Sequence, residues 1–370
     1  MSLTGLESSA VTTIQKKGSY YDVYEGSHYI GPYSTFALAW TKAETYLAGA
    51  RDYQDDIRLK GDITVASQIT VPEYTMVRGP AKLSQGFNGT LFTDEQIGSD
   101  LNADEITMRD LNIVMDSTTY DASGTAIHMC PRDGSFENLK IWDALDEAVI
   151  FESRGHALSE RVLALSLNNI WIGRHFLLGS KAGGLYFKED GTGAGAADVH
   201  MNDMYLINSY NYQIKMEYGA NYHIDQMHLT GFGTGSTVGM ICDHAYEVYW
   251  NGGTVESCRA DGVVIEDGSY LVNLSNILFT DNGNYTDDTF SDVLVDSSVG
   301  TSRGVNVNRC HFRDSGGQAN NPKYNVYFKG ANSDYCFARE NYFDTDYAIT
   351  ATTLDESGTA LIENNTTYAS

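Results

Sequence analysis

Proline is scarce in this chain, at 5 of 370 residues, and cysteine is no commoner. The five cysteines, Cys130, Cys242, Cys258, Cys310 and Cys336, are odd in number, widely spaced and contain no CxxC pair. That spacing argues against a zinc site or a redox motif and leaves buried free thiols as the expectation. Positive charge is also short: 24 lysines and arginines against 49 acids give a formal net charge of −25. Such a surface cannot neutralise phosphates and is repelled by an anionic bilayer, so nucleic-acid and membrane-surface partners are excluded. No run of 18 apolar residues occurs, so no membrane insertion is expected. The opening "MSLTGLESSAVTTIQ" lacks the basic-then-apolar pattern of a secretory leader. The expectation is a leader already removed, or exit from the cell by lysis.

What the chain has is glycine (36), tyrosine (25) and many Asn, Asp and Ser between short apolar runs, the pattern of an all-β protein with many turns. Residues 1–33 read as a Tyr/Gly-rich extended or hairpin-like lead-in. Phe36, Ala39, Trp40, Ala43 and Leu47 then recur at helical spacing, with Ser34 as the expected N-cap and Gly49 as the stop. From Ile57 to Gly86 the period changes to two, with Ile63, Val65, Ile69 and Val71 alternating between turn signals.

Beyond residue 100 the chain repeats itself. One unit is a strand, a two-residue polar corner and a second strand, as in "VHM-ND-MYL" (199–206), "YHI-DQ-MHL" (222–229), "YLVNL-SN-ILF" (270–279) and "VNV-NR-CHF" (305–312). A third apolar run follows each copy, as in "AVIF" (148–151), "QIKM" (213–216), "GMIC" (239–242) and "YAIT" (347–350). Three short strands cannot bury an apolar face alone, but stacked on the next copy they can, each pairing in parallel with its equivalent about 4.8 Å away. Stacking predicts apolar columns, one of Met129, Phe151, Phe187 and Met216, another of Leu206, Leu229, Val255, Phe279, Phe312 and Phe343. The corner residues Asn169, Asn202, Asn276 and Asn308 suit left-handed backbone and mutual hydrogen bonds. A helix at 35–48 would cover the first rung.

The segment "AWTKAETYLAGA…IRLKGDITVASQITVPEYTMVRGPAKLSQG", with the later "VNVNRCHFRDSGG", resembles the pectate-lyase-like right-handed parallel β-helix superfamily over residues 34 to 365. Within it the chain is most like viral tailspike proteins. The resemblance implies three strands per coil, about ten coils and an N-terminal α-helical cap. It divides the chain into an attachment segment (1–33), a cap helix with linker (34–56) and a β-helix (57–370). Members include polysaccharide lyases, glycoside hydrolases, epimerases, tailspikes and adhesins, so the fold leaves the chemistry open.

Stacking also predicts a vertical strip of acids: Glu217, Asp243, Glu266 and Asp296 close successive third strands. Carboxylates on neighbouring rungs are close enough to separate their pKa values into an acid and a base. A spacing of about 5 Å suits a retaining glycosidase and about 6.5–9.5 Å an inverting one. Glu217, Asp243 and Glu266 are therefore the catalytic candidates, and Asp296 the candidate ligand should the strip bind Ca²⁺ instead; no cofactor is otherwise required. Lys215, beside Lys188, could take the proton in an elimination. Trp171, Tyr205 and His228 fall on consecutive rungs as a ladder for sugar stacking. A rival polar cluster on the first strand holds His200, His223, Asp225, Glu247 and Tyr249. "HIDQMH" (223–228) is split by a corner and makes a poor metal site, "GTSRG" (300–304) lacks the helix a nucleophile elbow needs, and "GTGAGA" (191–196) lacks the helix of a dinucleotide loop.

The function expected is a virus-associated spike that binds and cleaves a cell-surface polysaccharide, by hydrolysis rather than elimination. Its expected form is a homotrimer held to baseplate or tail proteins through the N-terminus, at the virion surface or otherwise extracellular. The alternatives are a free-standing secreted lyase or hydrolase and a non-enzymatic adhesin.

Overall fold

The computed structural model describes residues 11–47, 54–96, 99, 101–116, 119, 124–155, 157–173, 183–189, 191, 193–231, 237–266, 268–286, 289–315, 321–344 and 350–368. The two strands expected on either side of each polar corner run, through the middle of the chain, as one bent strand. Leu163–Gly173, Ala197–Ile207, Ala220–Thr230 and Tyr246–Glu256 are of this kind, eleven residues each. From Tyr270–Ser275 and Leu278–Thr280 onward the two halves separate. A second, eleven-stranded sheet collects the third runs, from Ile69–Val71 to Ala351–Asp355. The expected strand at 347–350 lies almost wholly outside the described residues, as do Gly49 and residues 1–10.

Pairing is parallel and rung to rung. Leu206 faces Leu229, then Val255, Phe279, Phe312 and Phe343 in turn. Met129, Phe151, Phe187 and Met216 align in the other sheet, and Cys242 continues them. Both columns are buried. In the first, the rings of Phe279, Phe312 and Phe343 stack with centroids 4.8 and 4.9 Å apart. All five cysteines are buried and unpaired.

The four Asn-containing corners expected from sequence each turn on one left-handed residue, and its position corrects the sequence reading at two of them. Asn169 and Asn276 have φ of 51° and 56°, but in the other two corners the left-handed residues are Asp203 and Arg309, not Asn202 and Asn308. Asp adopts this region nearly as readily as Asn, and Arg309 is anchored by Glu340 on the next rung, Nε to Oε2 at 2.8 Å. Side-chain amides link rungs as expected: Asn169 Nδ2 donates to Asn138 Oδ1 at 2.8 Å, and Asn138 Nδ2 to Asp110 Oδ1 at 3.0 Å. At one corner glycine is obligatory. Gly253 has φ of +107°, and a Cβ there would stand 2.0 Å from the Met227 carbonyl oxygen. Gly253→Ala should lower stability by about 2–3 kcal/mol; an unchanged urea midpoint would mean that the backbone yields.

At the N-terminal end Val11–Lys17, Tyr20–Glu25 and His28–Tyr33 form an antiparallel meander. Its first strand pairs in parallel with Asp55–Val65 and so occupies the hydrogen-bonding edge of the first rung. The helix Phe36–Glu44 buries Phe36, Ala39, Trp40 and Ala43 against the meander and that rung. Its N-cap is Thr35, one residue after Ser34, because Thr35 is the extended residue whose hydroxyl accepts from the Leu38 N–H.

Asp261, partly buried, sits outside the columns. Asp261 accepts the Ser291 N–H at 2.7 Å, yet burial pushes its carboxyl up from 3.8 to about 6. The folded protein therefore holds this proton more tightly than the unfolded chain, and its contribution to stability falls as pH rises through that interval. Asp261→Asn should remove this component, read as the difference between the two proteins' stability–pH curves; identical slopes would sink it.

Candidate active site

The outward side chains of the eleven-stranded sheet converge around Lys215. Tyr212–Glu217 pairs with Val238–Asp243, which sets Glu217 beside Asp243 on adjacent rungs. Lys215, two residues before Glu217 and so on the same outward face, places Nζ 2.5 Å from Glu217 Oε1 and 3.9 Å from Asp243 Oδ2. The ammonium thus offsets the repulsion that two stacked carboxylates would otherwise suffer. Asp243 Oδ1 lies 2.7 Å from His244 Nδ1, which makes Nδ1 the protonated nitrogen and leaves Nε2 without a partner among the described residues. His244 stacks on Tyr218 at 4.3 Å. Under Lys215 lies the Tyr186 ring, 5.6 Å from Nζ. Burial and the neighbouring Glu217 push the Tyr186 hydroxyl well above its usual range, so it stays a proton donor. Tyr212 donates to Glu147 at 2.9 Å and packs edge-on against Tyr186.

The strip continues in both directions. Cys242 pairs with Ile265 and Ile265 with Val295, so Glu266 and Asp296 follow Asp243 in register. Asp296 takes Lys329 Nζ at 2.7 Å and the Ser298 hydroxyl at 2.5 Å. Burial works against ionisation there, but these hydrogen bonds prevail and hold the carboxyl below its usual value. Towards the N-terminus, Glu152 lies between His128 Nε2 at 2.5 Å and Lys188 Nζ at 2.7 Å. Burial there is again outweighed, and the carboxyl is held down to about 2. No three His, Cys, Asp or Glu side chains among the described residues form a metal-binding group. Lys329 supplies the counter-charge at Asp296 that a cation would supply.

No protein-family profile and no curated protein matches the sequence. Solved structures do match the shape. The mannuronan C-5 epimerase A-module of Azotobacter vinelandii superimposes with a TM-score of 0.51 at 10% identity, over 90% of this chain and 94% of that one. The enzymatically active domain of tailspike protein 2 from bacteriophage CBA120 gives 0.53 at 12% identity, over 80% of this chain and 46% of that one. A surface adhesin of Streptococcus pneumoniae gives 0.53 at 10%, over 85% and 82%. These likenesses show the fold alone, a parallel β-helix.

On this β-helix the residues singled out from sequence occupy three files. Glu217, Asp243, Glu266, Lys215 and Asp296 share the outer side of the eleven-stranded sheet. Trp171, Tyr205 and His228 lie on the second half of the long strands, one per rung as expected. Their rings, however, stack on one another at 4.3 and 4.7 Å, so both faces of Tyr205 are covered and unavailable to a sugar. On the first half, Tyr249 stacks on His223, and His223 on His200, with Asp225 and Glu247 exposed beside them. His244, Tyr218 and Tyr186 escaped the sequence reading. His244 and Tyr218 occupy left-handed turn positions after Asp243 and Glu217, and recurrence at that turn was the available signal.

Proposed function

We propose that this β-helix binds an extended polysaccharide across the outer side of its eleven-stranded sheet and acts on it at Glu217, Asp243 and Glu266. The observation that carries the reading is the convergence of Lys215, Glu217, Asp243 and His244 on one outward edge: an ammonium, two carboxylates and an imidazole with one free nitrogen. Glu217 and Asp243 on adjacent rungs, about 4.8 Å apart in backbone, suit a nucleophile–acid pair; Glu217 and Glu266, two rungs apart, suit an acid and a water-activating base. His244 is a further proton carrier, held in one tautomer by Asp243. Hydrolysis is preferred to elimination because Lys215 is tied to Glu217 as a cation and is not poised as a base.

The named activity of the matching mannuronan epimerase module supports a carbohydrate substrate, and the matching tailspike domain is named as enzymatically active. A tailspike-like trimer at a virion surface, attached through the N-terminal segment, is the setting proposed. The adhesin reading draws on one feature: Lys215 neutralises the carboxylate pair, as a purely structural ion pair would. A panel of uronate and neutral polysaccharides, incubated with the full chain and analysed by product mass spectrometry, tests the proposal. Shortened chains one water heavier indicate hydrolysis, and unsaturated, ultraviolet-absorbing ends indicate elimination. No product from any polymer that binds would favour the adhesin.

A further inference from the structure

The opposite character of another face goes beyond that reading. On the second half of the long strands the outward file runs Lys82, Asn112, Lys140, Trp171, Tyr205, His228 on consecutive rungs. Thr254, Leu278, His311 and Tyr342 extend it. Asp62, one rung before Lys82, is the sole acid of the file. In a chain with 49 acids and 24 lysines and arginines, a file of ten rungs without a carboxylate stands apart.

Its polar groups are also unspent. Lys82 and Lys140 are exposed, and neither has a carboxylate partner among the described residues. Elsewhere Lys188, Lys215, Lys329 and Arg154 are each paired with an acid. Lys140 instead rests over the Trp171 ring at 5.9 Å. Trp171, Tyr205 and His228 are half-buried, with their faces stacked on one another and their N–H and O–H groups at the ring edges. None of these groups has a protein partner among the described residues. At the lysine end a cleft of about 430 Å³ is lined by Lys82, Asn112 and Lys140; Asp62 and Asp110 line it too, and Asp110 is engaged by Asn138.

Two ammonium groups two rungs, or about 9.6 Å, apart followed by a row of edge donors match an extended, oxygen-rich polymer with spaced negative charges. We infer that this face is a second, non-catalytic binding strip for an acidic polysaccharide, with Lys82 and Lys140 holding carboxylates and the ring edges holding hydroxyls.

The test titrates alginate oligosaccharides, with neutral dextran as control, into the full chain carrying Glu217→Gln, so that turnover at the other face cannot interfere. Lys82→Ala with Lys140→Ala should weaken alginate binding about tenfold and flatten its salt dependence. Trp171 fluorescence should respond to alginate and not to dextran. Equal binding by the parent and the double variant, or equal binding of dextran and alginate, would overturn the strip. A loss of binding on Lys215→Ala but not on the double variant would assign the glycan to the eleven-stranded sheet alone. Unchanged degradation by the double variant with Glu217 intact separates failure here from failure of the proposed activity. Self-association of the parent abolished by the same two substitutions would mark the face as a contact between copies and overturn the proposal.

Discussion

Arg154→Ala should lower the free energy of unfolding by about 3–5 kcal/mol, because it strands a carboxylate with no access to water. Asp94 is fully buried, and Arg154 grips it with one guanidinium nitrogen at 3.0 and 2.8 Å while a second nitrogen donates to the Leu101 carbonyl at 2.6 Å. The Cys130 and Gln96 N–H groups complete the shell at 2.8 and 2.9 Å. Asp94 thus has three donors making four contacts, and losing the one that carries charge leaves an anion buried against dipoles alone. The urea midpoint of the variant, compared with Arg154→Ala/Asp94→Asn, separates charge from packing. Partial recovery in the double variant is the expected result, and an undiminished midpoint in the single variant would mean that the pair contributes nothing.

Glu217→Gln should cut turnover of the polymer identified by the polysaccharide panel by about 10²–10⁴-fold. The substitution keeps the shape of the side chain and a polar contact with Lys215, but an amide can neither attack a sugar nor exchange a proton. It also frees Lys215 to lean towards Asp243, which is already 3.9 Å away. Binding of the same polymer and the thermal midpoint should change little, so that the loss falls on kcat rather than KM. Full activity in this variant would remove Glu217 from the chemistry and leave Asp243, His244 and Glu266 to account for it.

The columns were legible because a two-residue corner fixes phase: once Leu206, Leu229 and Val255 occupy the same place in three copies, their stacking follows. The same logic placed Glu217 beside Asp243. It could not say what stands between them, because Lys215 reaches both through a flexible side chain. Nor could it reveal Arg154 on Asp94, a contact across 60 residues that joins a connecting segment to a strand. The left-handed residues at Asp203 and Arg309 were missed because composition marks the corner, whereas the backbone chooses one of its two residues. The aromatic ladder falls on consecutive rungs as expected, but the stacking of its rings on one another was not foreseen, since sequence gives the rung of a ring but not the direction of its face.

The rung-by-rung pairing has a mechanical corollary. Backbone pairing joins each level only to the levels directly above and below it, and side chains such as Arg154 reach one level further, so cooperativity is close to a nearest-neighbour property, as in a stack of coins. A weakened level divides the stack instead of loosening all of it. The level of Gly253 would become such a break point in Gly253→Ala, and protection of backbone amides from hydrogen exchange should persist in distant levels after it has been lost there.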